Sequence, residues 1–289
     1  MFSRISLVHF RWFITGAIFV VCLVVWSIVF AHGGHELRVS FLDIGQGDAI
    51  FIEAPSGNQL LLDGGPDKKI LSRLGDVMPW YDRSIDMLAL SHPHADHLVG
   101  LLAVLDRYAV GAAVDSGTQY DTTDYRSWRE MLLQKKISET ALHAGDRIDM
   151  GDGVTLDALL PNKDVSKATP HEGMLVLQLR YGSTTVMLTG DMEENLESEL
   201  VFANDGGLAS DVLKVGHHGS RTSTSLQFLD AVHPKYAVVS VGAGNKYGHP
   251  NSEVMGRLAG EGISTFRTDK DGTVTLRSDG EHLSVVGSK

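Results

Sequence analysis

The run His92-Pro93-His94-Ala95-Asp96-His97 is the most informative part of this 289-residue chain. It places three imidazoles and one carboxylate within six residues, and both groups are ligands for zinc and similar divalent ions. Apolar residues precede the run at 85–90 and follow it at 98–102. This pattern predicts a buried strand that ends at the ligands and a helix that leads away from them. A solvent-exposed loop rich in histidine is the alternative.

Two predicted strand ends offer further ligands, because a two-metal site needs more than four. Asp191 follows the apolar segment 184–188, where its carboxylate could bridge two ions; a helix N-cap is its alternative role. His217 and His218 follow segment 211–215. We expect one of the two histidines to bind metal and prefer His217, which lies closer to the strand end.

The sequence offers two candidates for the third ligand of the first ion. With His92 and His94 on that ion, another imidazole is expected before Asp191. His171 stands just ahead of a predicted strand at 175–181, and His143 is the other candidate. A solvent-exposed loop position is the alternative role for His171.

Other polar residues near these strand ends are candidates for supporting roles. We interpret Asp63 as a carboxylate that receives the N–H of a ligand imidazole and so fixes its tautomer. His249 could donate to a developing anion on the substrate, or serve a structural turn. Candidate contacts to phosphate oxygens, with ordinary surface charge as the alternative, are Lys214, Arg221 and Lys246.

Composition limits the classes of function. A hydrophobic content of 43% and 31 glycines suit a globular α/β domain with many tight turns. The net charge of −11 argues against a broad basic face for non-specific duplex binding, although bound divalent ions would still attract phosphate. The single cysteine, Cys22, excludes an intramolecular disulfide and a cysteine-ligated metal site.

The N-terminal segment predicts where in the cell the protein is located. Residues 12–31 are almost uninterrupted apolar sequence, about long enough to cross a bilayer core of roughly 30 Å. Arg4 and Arg11 precede this segment, so we expect the N-terminus in the cytoplasm and the rest of the chain outside. A retained anchor is favoured over a signal peptide cut after Ala31, and a buried core helix is the alternative. We therefore divide the chain into residues 1–35, with anchor and linker, and residues 36–289.

Hydrophobic patterning within 36–289 predicts early strands in meander order and then alternating strands and helices, hence two packed sheets with helices outside. The predicted strands are 37–43, 49–54, 59–63, 85–90, 109–115, 155–160, 175–181, 184–188, 211–215, 236–241, 263–266, 273–276 and 283–286. The predicted helices are 66–77, the segment after His97, 125–136, 193–202, 223–232 and 252–260.

Six ordered blocks resemble the metallo-β-lactamase superfamily and, more narrowly, the C-terminal extracellular domain of the ComEC competence DNA-uptake proteins. The blocks are Asp43-Ile44-Gly45-Gln46-Gly47-Asp48, Leu61-Leu62-Asp63-Gly64-Gly65, Ser91 to His97, Leu188 to Asp191, Leu213 to Ser220, and Tyr247 to Pro250. The resemblance covers roughly residues 37–287. The histidine-rich block alone would indicate only the superfamily, and the other blocks narrow it.

The resemblance implies an αββα sandwich and a hydrolase acting on phosphodiesters, with DNA the favoured substrate. Two divalent ions, zinc or manganese, would share an activated hydroxide. The implied roles are His92, His94 and His171 on the first ion; Asp96, His97 and His217 on the second; Asp191 as the bridge; Asp96 and His249 as catalytic; and Asp63, Asp43 and His218 as supporting residues or alternative ligands.

Two departures from the ComEC pattern leave alternatives open. A single apolar segment stands where those proteins carry a many-helix channel, so we expect this chain not to form the pore and a separate channel protein to be a possible partner. The segment His171-Glu172-Gly173-Met174 replaces one that usually contains Asn and Ser. The alternatives are hydrolysis of a lactone, lactam, thioester or cell-wall phosphocholine, and a non-catalytic membrane-anchored adaptor.

Overall fold

A computed structural model describes residues 3–32, 36–204 and 206–289. The chain divides into two compact units, Met1–His35 and Glu36–Lys289. The first unit contains helix α1 (Ser3–His32), within which His9–Trp26 has a mean hydropathy of 1.8 and no buried side chain. This helix is long and apolar enough to cross a membrane.

The second unit alternates strands and helices. Its strands, in chain order, are β1 (Leu37–Phe41), β2 (Ile50–Glu53), β3 (Gln59–Leu62), β4 (Ser84–Ala89), β5 (Ala109–Asp115), β6 (Ser138–Ala141), β7 (Arg147–Asp149), β8 (Thr155–Leu160), β9 (Val176–Tyr181), β10 (Thr184–Leu188), β11 (Val212–Lys214), β12 (Tyr236–Val239), β13 (Ser264–Arg267), β14 (Val274–Ser278) and β15 (Leu283–Gly287). Its helices are α2 (Lys69–Val77), α3 (Ala95–Arg107), α4 (Thr123–Lys135), α5 (Glu194–Ala203), α6 (Leu226–Val232), α7 (Ser252–Gly260) and α8 (Thr268–Asp271), with a 3-10 turn at Gly216–Gly219.

The strands form two sheets. In the first, the order is β15-β14-β1-β2-β3-β4-β5-β6, and in the second it is β13-β12-β11-β10-β9-β8-β7. Strands β3 to β6 run parallel to one another, as do β10 to β13. Their carboxyl ends are therefore the natural location for a site in each sheet.

Alternating side chains place the core in three layers. On β3, Leu60 and Leu62 point between the two sheets, whereas Leu61 packs under α2, α3 and α4. The outer face of the second sheet is covered by α5, α6 and α7 through buried residues such as Leu196, Phe228 and Leu258. These layers give the αββα sandwich that the sequence predicts.

The hydrophobic pattern of the sequence did not predict three short or polar elements. Strands β6 and β7 and helix α8 lie outside the predicted segments. In β6 the burial pattern is exposed and intermediate throughout, and β7 has three residues, so neither carries a clear apolar periodicity.

Candidate metal centre

Two adjacent groups of metal-ligand side chains lie at the carboxyl ends of the parallel strands. Within each group, one potential ligand atom per residue lies within 4.8 Å of the others: the first group is His92, His94 and His171, and the second is Asp96, His97, Asp191 and His218. Asp191 faces both groups. Its Oδ2 lies 3.9 Å from Nε2 of His92, and its Oδ1 lies 3.4 Å from Nε2 of His218.

The topology explains why residues far apart in sequence meet here. Strand β4 ends just before His92, β10 ends just before Asp191, and β11 leads into the turn that holds His218. The two sheets also meet at this edge, because the backbone N–H of Leu175 donates to the carbonyl of Ser91 at 2.9 Å. That contact brings the segment of His171 next to the first sheet.

Hydrogen bonds fix how two imidazoles of the second group present themselves. His97 Nδ1 lies 2.9 Å from Asp63 Oδ2, and His218 Nδ1 lies 2.9 Å from the carbonyl of Ser240, which only accepts. With the proton on Nδ1, each Nε2 carries a lone pair. Those two Nε2 atoms lie 3.3 and 3.4 Å from the carboxylate of Asp191.

This arrangement fits a cation. Nε2 of His97, Nε2 of His218 and Oδ1 of Asp191 are buried and have no hydrogen-bond partner among the described residues. Lone pairs that face one another in a buried space repel unless a proton or a metal ion lies between them. Imidazole and carboxylate donors are a suitable set for zinc and also for other divalent ions.

Two histidines of the first group are in the neutral state that a metal ligand requires. Burial, together with neighbouring histidines, holds the pKa of His92 well below its usual value and lowers the pKa of His94. Both rings are therefore neutral near pH 7 and can offer a lone pair. Nδ1 of His171 is buried without a hydrogen-bond partner in the described structure, and its ring centre lies 4.7 Å from that of His94.

The charges of the second group are strongly coupled. Burial favours a neutral Asp191, but the imidazoles of His218 and His97 outweigh it and hold the pKa of Asp191 well below its usual range. For His97, burial is likewise outweighed by Asp191 and Asp63, which raise its pKa well above the usual value. The cluster therefore binds positive charge, supplied by protons or by metal.

Three non-glycine residues at the site have left-handed backbone. Asp63, His217 and His218 have φ values of 60°, 46° and 54°, in the left-handed region that non-glycine residues rarely adopt. Such conformations persist where surrounding contacts fix them and are frequent at functional sites. Here they turn His218 inward.

The geometry reverses the preference for His217 over His218 as the ligand of the second group. His218 is buried, and its Nε2 lies 3.3 Å from Asp96 Oδ2. His217 is partly exposed, its Nε2 lies 3.7 Å from Asp191 Oδ2, and its Nδ1 lies 3.2 Å from Glu193. The strand-end argument failed because consecutive left-handed residues point the second histidine, not the first, into the site.

Lys214 does not have the predicted surface position. Its side chain is fully buried, its Nζ lies 2.5 Å from Asp48 Oδ2, and it donates to the carbonyl of Gly190 at 2.8 Å. It therefore cannot reach a substrate phosphate. Asp48 was overlooked as a site residue, although it closes the Gly45-Gln46-Gly47-Asp48 block and its Oδ1 lies 3.5 Å from His218 Nδ1.

Asp43 also lies apart from the two ligand groups. Its carboxylate lies 3.3 Å from Lys69 Nζ and 3.4 Å from Lys289 Nζ, so its predicted role as a supporting or alternative ligand is not supported. Arg221 and Lys246 are exposed, as a phosphate contact requires. The imidazole of His249 has its ring centre 5.9 Å from that of His217.

The chain belongs to the metallo-beta-lactamase superfamily, whose family model matches residues 42–243. Its sequence is also similar to those of two competence-related proteins. It is 31% identical to ComE operon protein 3 of Bacillus subtilis over 91% of this chain and 36% of the relative. It is 32% identical to competence protein ComA of Neisseria gonorrhoeae over 83% of this chain and 32% of the relative. The chain thus spans about a third of the length of these relatives.

A solved structure agrees on the fold. CmlA, a diiron beta-hydroxylase from Streptomyces venezuelae, superposes with a TM-score of 0.55 at 16% identity, over 84% of this chain and 54% of that one. The predicted superfamily and its sandwich architecture are therefore confirmed, and the chain is a metallo-hydrolase-fold protein related to competence proteins.

Proposed function

We propose that this chain is a two-metal phosphodiesterase that cleaves DNA on the outer side of a membrane. The observation that carries the proposal is the position of Asp191 between two groups of ligand atoms, which is the arrangement that a bridged pair of ions requires. Relation to competence proteins supports DNA as the substrate.

Two divalent ions, zinc or manganese, would be held by these residues. The first site would use His92, His94 and His171, and the second would use Asp96, His97 and His218, with Asp191 shared. Asp63 would hold the tautomer of His97 through its hydrogen bond, which keeps Nε2 available as a ligand. When bound, such ions lower the pKa of water and stabilise charge on phosphate oxygens.

The remaining residues act on the substrate in this proposal. His249 lies on the rim of the site and would donate a proton to the leaving oxygen. Arg221 and Lys246 are exposed cations that would contact the flanking phosphates. A bare acidic surface would repel DNA, so binding depends on the ions and on these few contacts.

Helix α1 fits a membrane anchor, and we propose that the hydrolase unit faces outward. An outward-facing nuclease meets external DNA before uptake. A separate membrane channel protein is the corresponding proposed partner.

The test uses the full chain, purified with detergent and reconstituted with Mn²⁺ or Zn²⁺. We expect two ions per chain by elemental analysis and degradation of DNA that EDTA abolishes. Arg107→Ala, at an exposed site on the far end of α3, serves as a control and should leave both unchanged.

Two outcomes would contradict the proposal in different ways. If the chain binds no metal after reconstitution, the two-metal centre is ruled out and the non-catalytic adaptor remains. A metal-loaded chain that hydrolyses a lactone, lactam, thioester or phosphocholine substrate, but no nucleic acid, would remove only the assignment of DNA as the substrate.

A further inference from the structure

A cleft of about 600 Å³ opens beside the second ligand group. Its walls come from four parts of the chain: the Gly45-Gln46 turn, the Pro66-Asp67 segment, the start of α3 with Asp96, and the loop Asn245-Lys246-Tyr247. Because Asp96 belongs both to the ligand group and to the cleft, a substrate bound at the metal centre would extend into this space.

Tyr247 presents an aromatic surface in this cleft. Its side chain is 58% exposed, although large aromatic side chains gain free energy from burial. The ring lies nearly parallel to that of His249, with ring centres 5.8 Å apart and 15° between the planes. The His249 ring in turn lies 5.9 Å from that of His217, so the rings lead from the cleft to the metal centre.

The loop that carries Tyr247 is held in place from within. The side-chain amide of Asn245 donates to the carbonyl of His249 at 2.7 Å and accepts from the backbone N–H groups of His249 and Tyr247 at 3.0 and 3.2 Å. Asn245 also donates to the carbonyl of Gly242 at 3.0 Å, and the N–H of Gly242 donates to Gln46 Oε1 on the opposite wall at 3.2 Å. An exposed ring on such a fixed loop is pre-organised for a ligand.

A cation accompanies the ring. Lys246 Nζ lies 5.1 Å from the centre of the Tyr247 ring and has no carboxylate partner among the described residues. Its flexible stem lets it leave the ring and contact a phosphate when a planar group takes its place. An exposed aromatic ring with a neighbouring free ammonium matches the two parts of a nucleotide, a base and a phosphate.

We propose that Tyr247 is a stacking platform for one unpaired base of a DNA substrate, next to the phosphate that is cleaved, with Lys246 contacting the adjacent phosphate. This inference rests on the proposed nuclease function and adds to it a single-stranded substrate. Every base has a flat face, so the platform accepts any of the four, whereas a paired base in a duplex has its faces covered.

The test compares cleavage of short single-stranded oligodeoxyribonucleotides by the metal-loaded full chain and by Tyr247→Ala. We expect KM to rise about tenfold in the variant with kcat nearly unchanged, and Tyr247→Phe to retain the wild-type KM because it keeps the ring. Tyr81→Ala is the matched control and should leave KM unchanged, since Tyr81 is a similarly exposed tyrosine, at 65%, outside the cleft.

A second arm asks whether the ring contacts a base. A single abasic position is moved along the oligonucleotide, and we expect the wild-type KM to rise at one position or two adjacent ones. The Tyr247→Ala variant should show no further rise at those positions, because the stacking partner is already missing. Two results would overturn the platform. One is that the abasic position raises KM by the same factor in Tyr247→Ala as in the wild type. The other is a fall in kcat in Tyr247→Ala without a change in KM.

The failure of this inference is distinct from failure of the nuclease function. If the wild type cleaves DNA and Tyr247→Ala behaves like Tyr81→Ala, only the platform is wrong. If the metal-loaded wild type degrades duplex DNA but cleaves no single-stranded oligonucleotide, the platform is excluded and the nuclease function stands. If it cleaves neither, both are excluded.

Discussion

Asp191 is the residue on which both ligand groups depend. It is buried just after the end of β10, with Oδ2 near Nε2 of His92 and of His97 and Oδ1 near Nε2 of His218. The adjacent Gly190 has a φ of 53°, and a Cβ there would lie 2.8 Å from Met174 Sδ, so glycine lets the backbone turn here without strain. A side chain in this position connects the two sheets through charge as well as packing.

We expect Asp191→Ala to lower turnover and metal content more than His171→Ala does. A shared carboxylate would contribute to both ions, whereas His171 would contribute to one. Elemental analysis and initial rates on the reconstituted full chain measure the difference. Equal losses in the two variants, or a larger loss for His171→Ala, would show that Asp191 is not shared.

The buried pair of Lys214 and Asp48 is a second residue-level feature. Both side chains are at most 1% exposed, so removing the lysine leaves a carboxylate buried without its partner. We expect Lys214→Met to lower the free energy of unfolding by about 3–5 kcal/mol, measured by urea unfolding with chelator present.

Lys235→Met is the control for that substitution. Lys235 pairs with Asp211 at 2.9 Å but is 74% exposed, so its loss should cost only about 0–1 kcal/mol. Adding Asp48→Asn to Lys214→Met should recover part of the stability. Similar losses in the two lysine variants would mean that the buried pair contributes little.

At the scale of elements, helix α3 approaches the loop after β3 unusually closely. A Cβ on Gly100 would lie 1.8 Å from the carbonyl oxygen of Gly64, and one on Gly64 would lie 2.4 Å from the backbone nitrogen of Leu101. This contact sets the distance between Asp63, which follows β3, and His97, which lies on the first turn of α3.

We therefore expect Gly100→Ala to destabilise the chain and reduce metal affinity, contrary to the usual effect of alanine in a helix. Gly75→Ala in α2 is the matched control, because its Cβ would meet nothing within 4 Å. It should stabilise the chain by about 0.5–1 kcal/mol. Thermal unfolding of the two variants compares them; a gain for Gly100→Ala would show that α3 can move away freely.

The ends of β5 and β6 hold a pair of acidic side chains whose charge depends on pH. Burial raises the pKa of Asp115 to about 7, and the nearby Glu139 carboxylate adds to the shift, while Arg129 opposes it. The folded state therefore holds a proton that the unfolded chain releases near pH 4. Stability from this group is present at low pH and is lost as the pH rises toward about 7.

Asp115→Asn should remove that dependence, because asparagine keeps the acceptor for the N–H of Gly117, 2.8 Å away in the wild type, without a charge. Urea unfolding at about pH 5 and about pH 8 is the measurement, and the variant should gain stability relative to wild type only at the higher pH. If the variant and the wild type differ in free energy of unfolding by the same amount at both pH values, Asp115 is already ionised in the folded chain at pH 5.

At the scale of the whole molecule, the proposed outward orientation of the hydrolase unit rests on the N-terminal charges of the chain. Arg4 and Arg11 lie at the start of α1, and the next Lys or Arg is Arg38. We expect protease added to intact spheroplasts to degrade the hydrolase unit while a cytoplasmic marker survives. Arg4→Gln with Arg11→Gln should reduce the degraded fraction. Full protection of the wild-type unit would place it in the cytoplasm.

The sequence by itself determined the superfamily, the two-sheet architecture and most of the residues that meet at the site. It could do so because buried strands and helices have distinct apolar periods, and because ligands at parallel strand ends must share one edge. Contact between the segments that bear His92, Asp191 and the His217-His218 pair followed from that rule without knowledge of any distance.

Only the tertiary structure decided which way individual side chains point. Left-handed backbone at His217 and His218 turns His218 inward, and nothing in the residue types shows this conformation. Lys214 ends a strand whose other neighbours are apolar, so its charge suggested the surface, whereas Asp48 from a distant turn supplies the partner that allows it to be buried. Long-range pairing of this kind depends on three-dimensional packing, which local sequence does not encode.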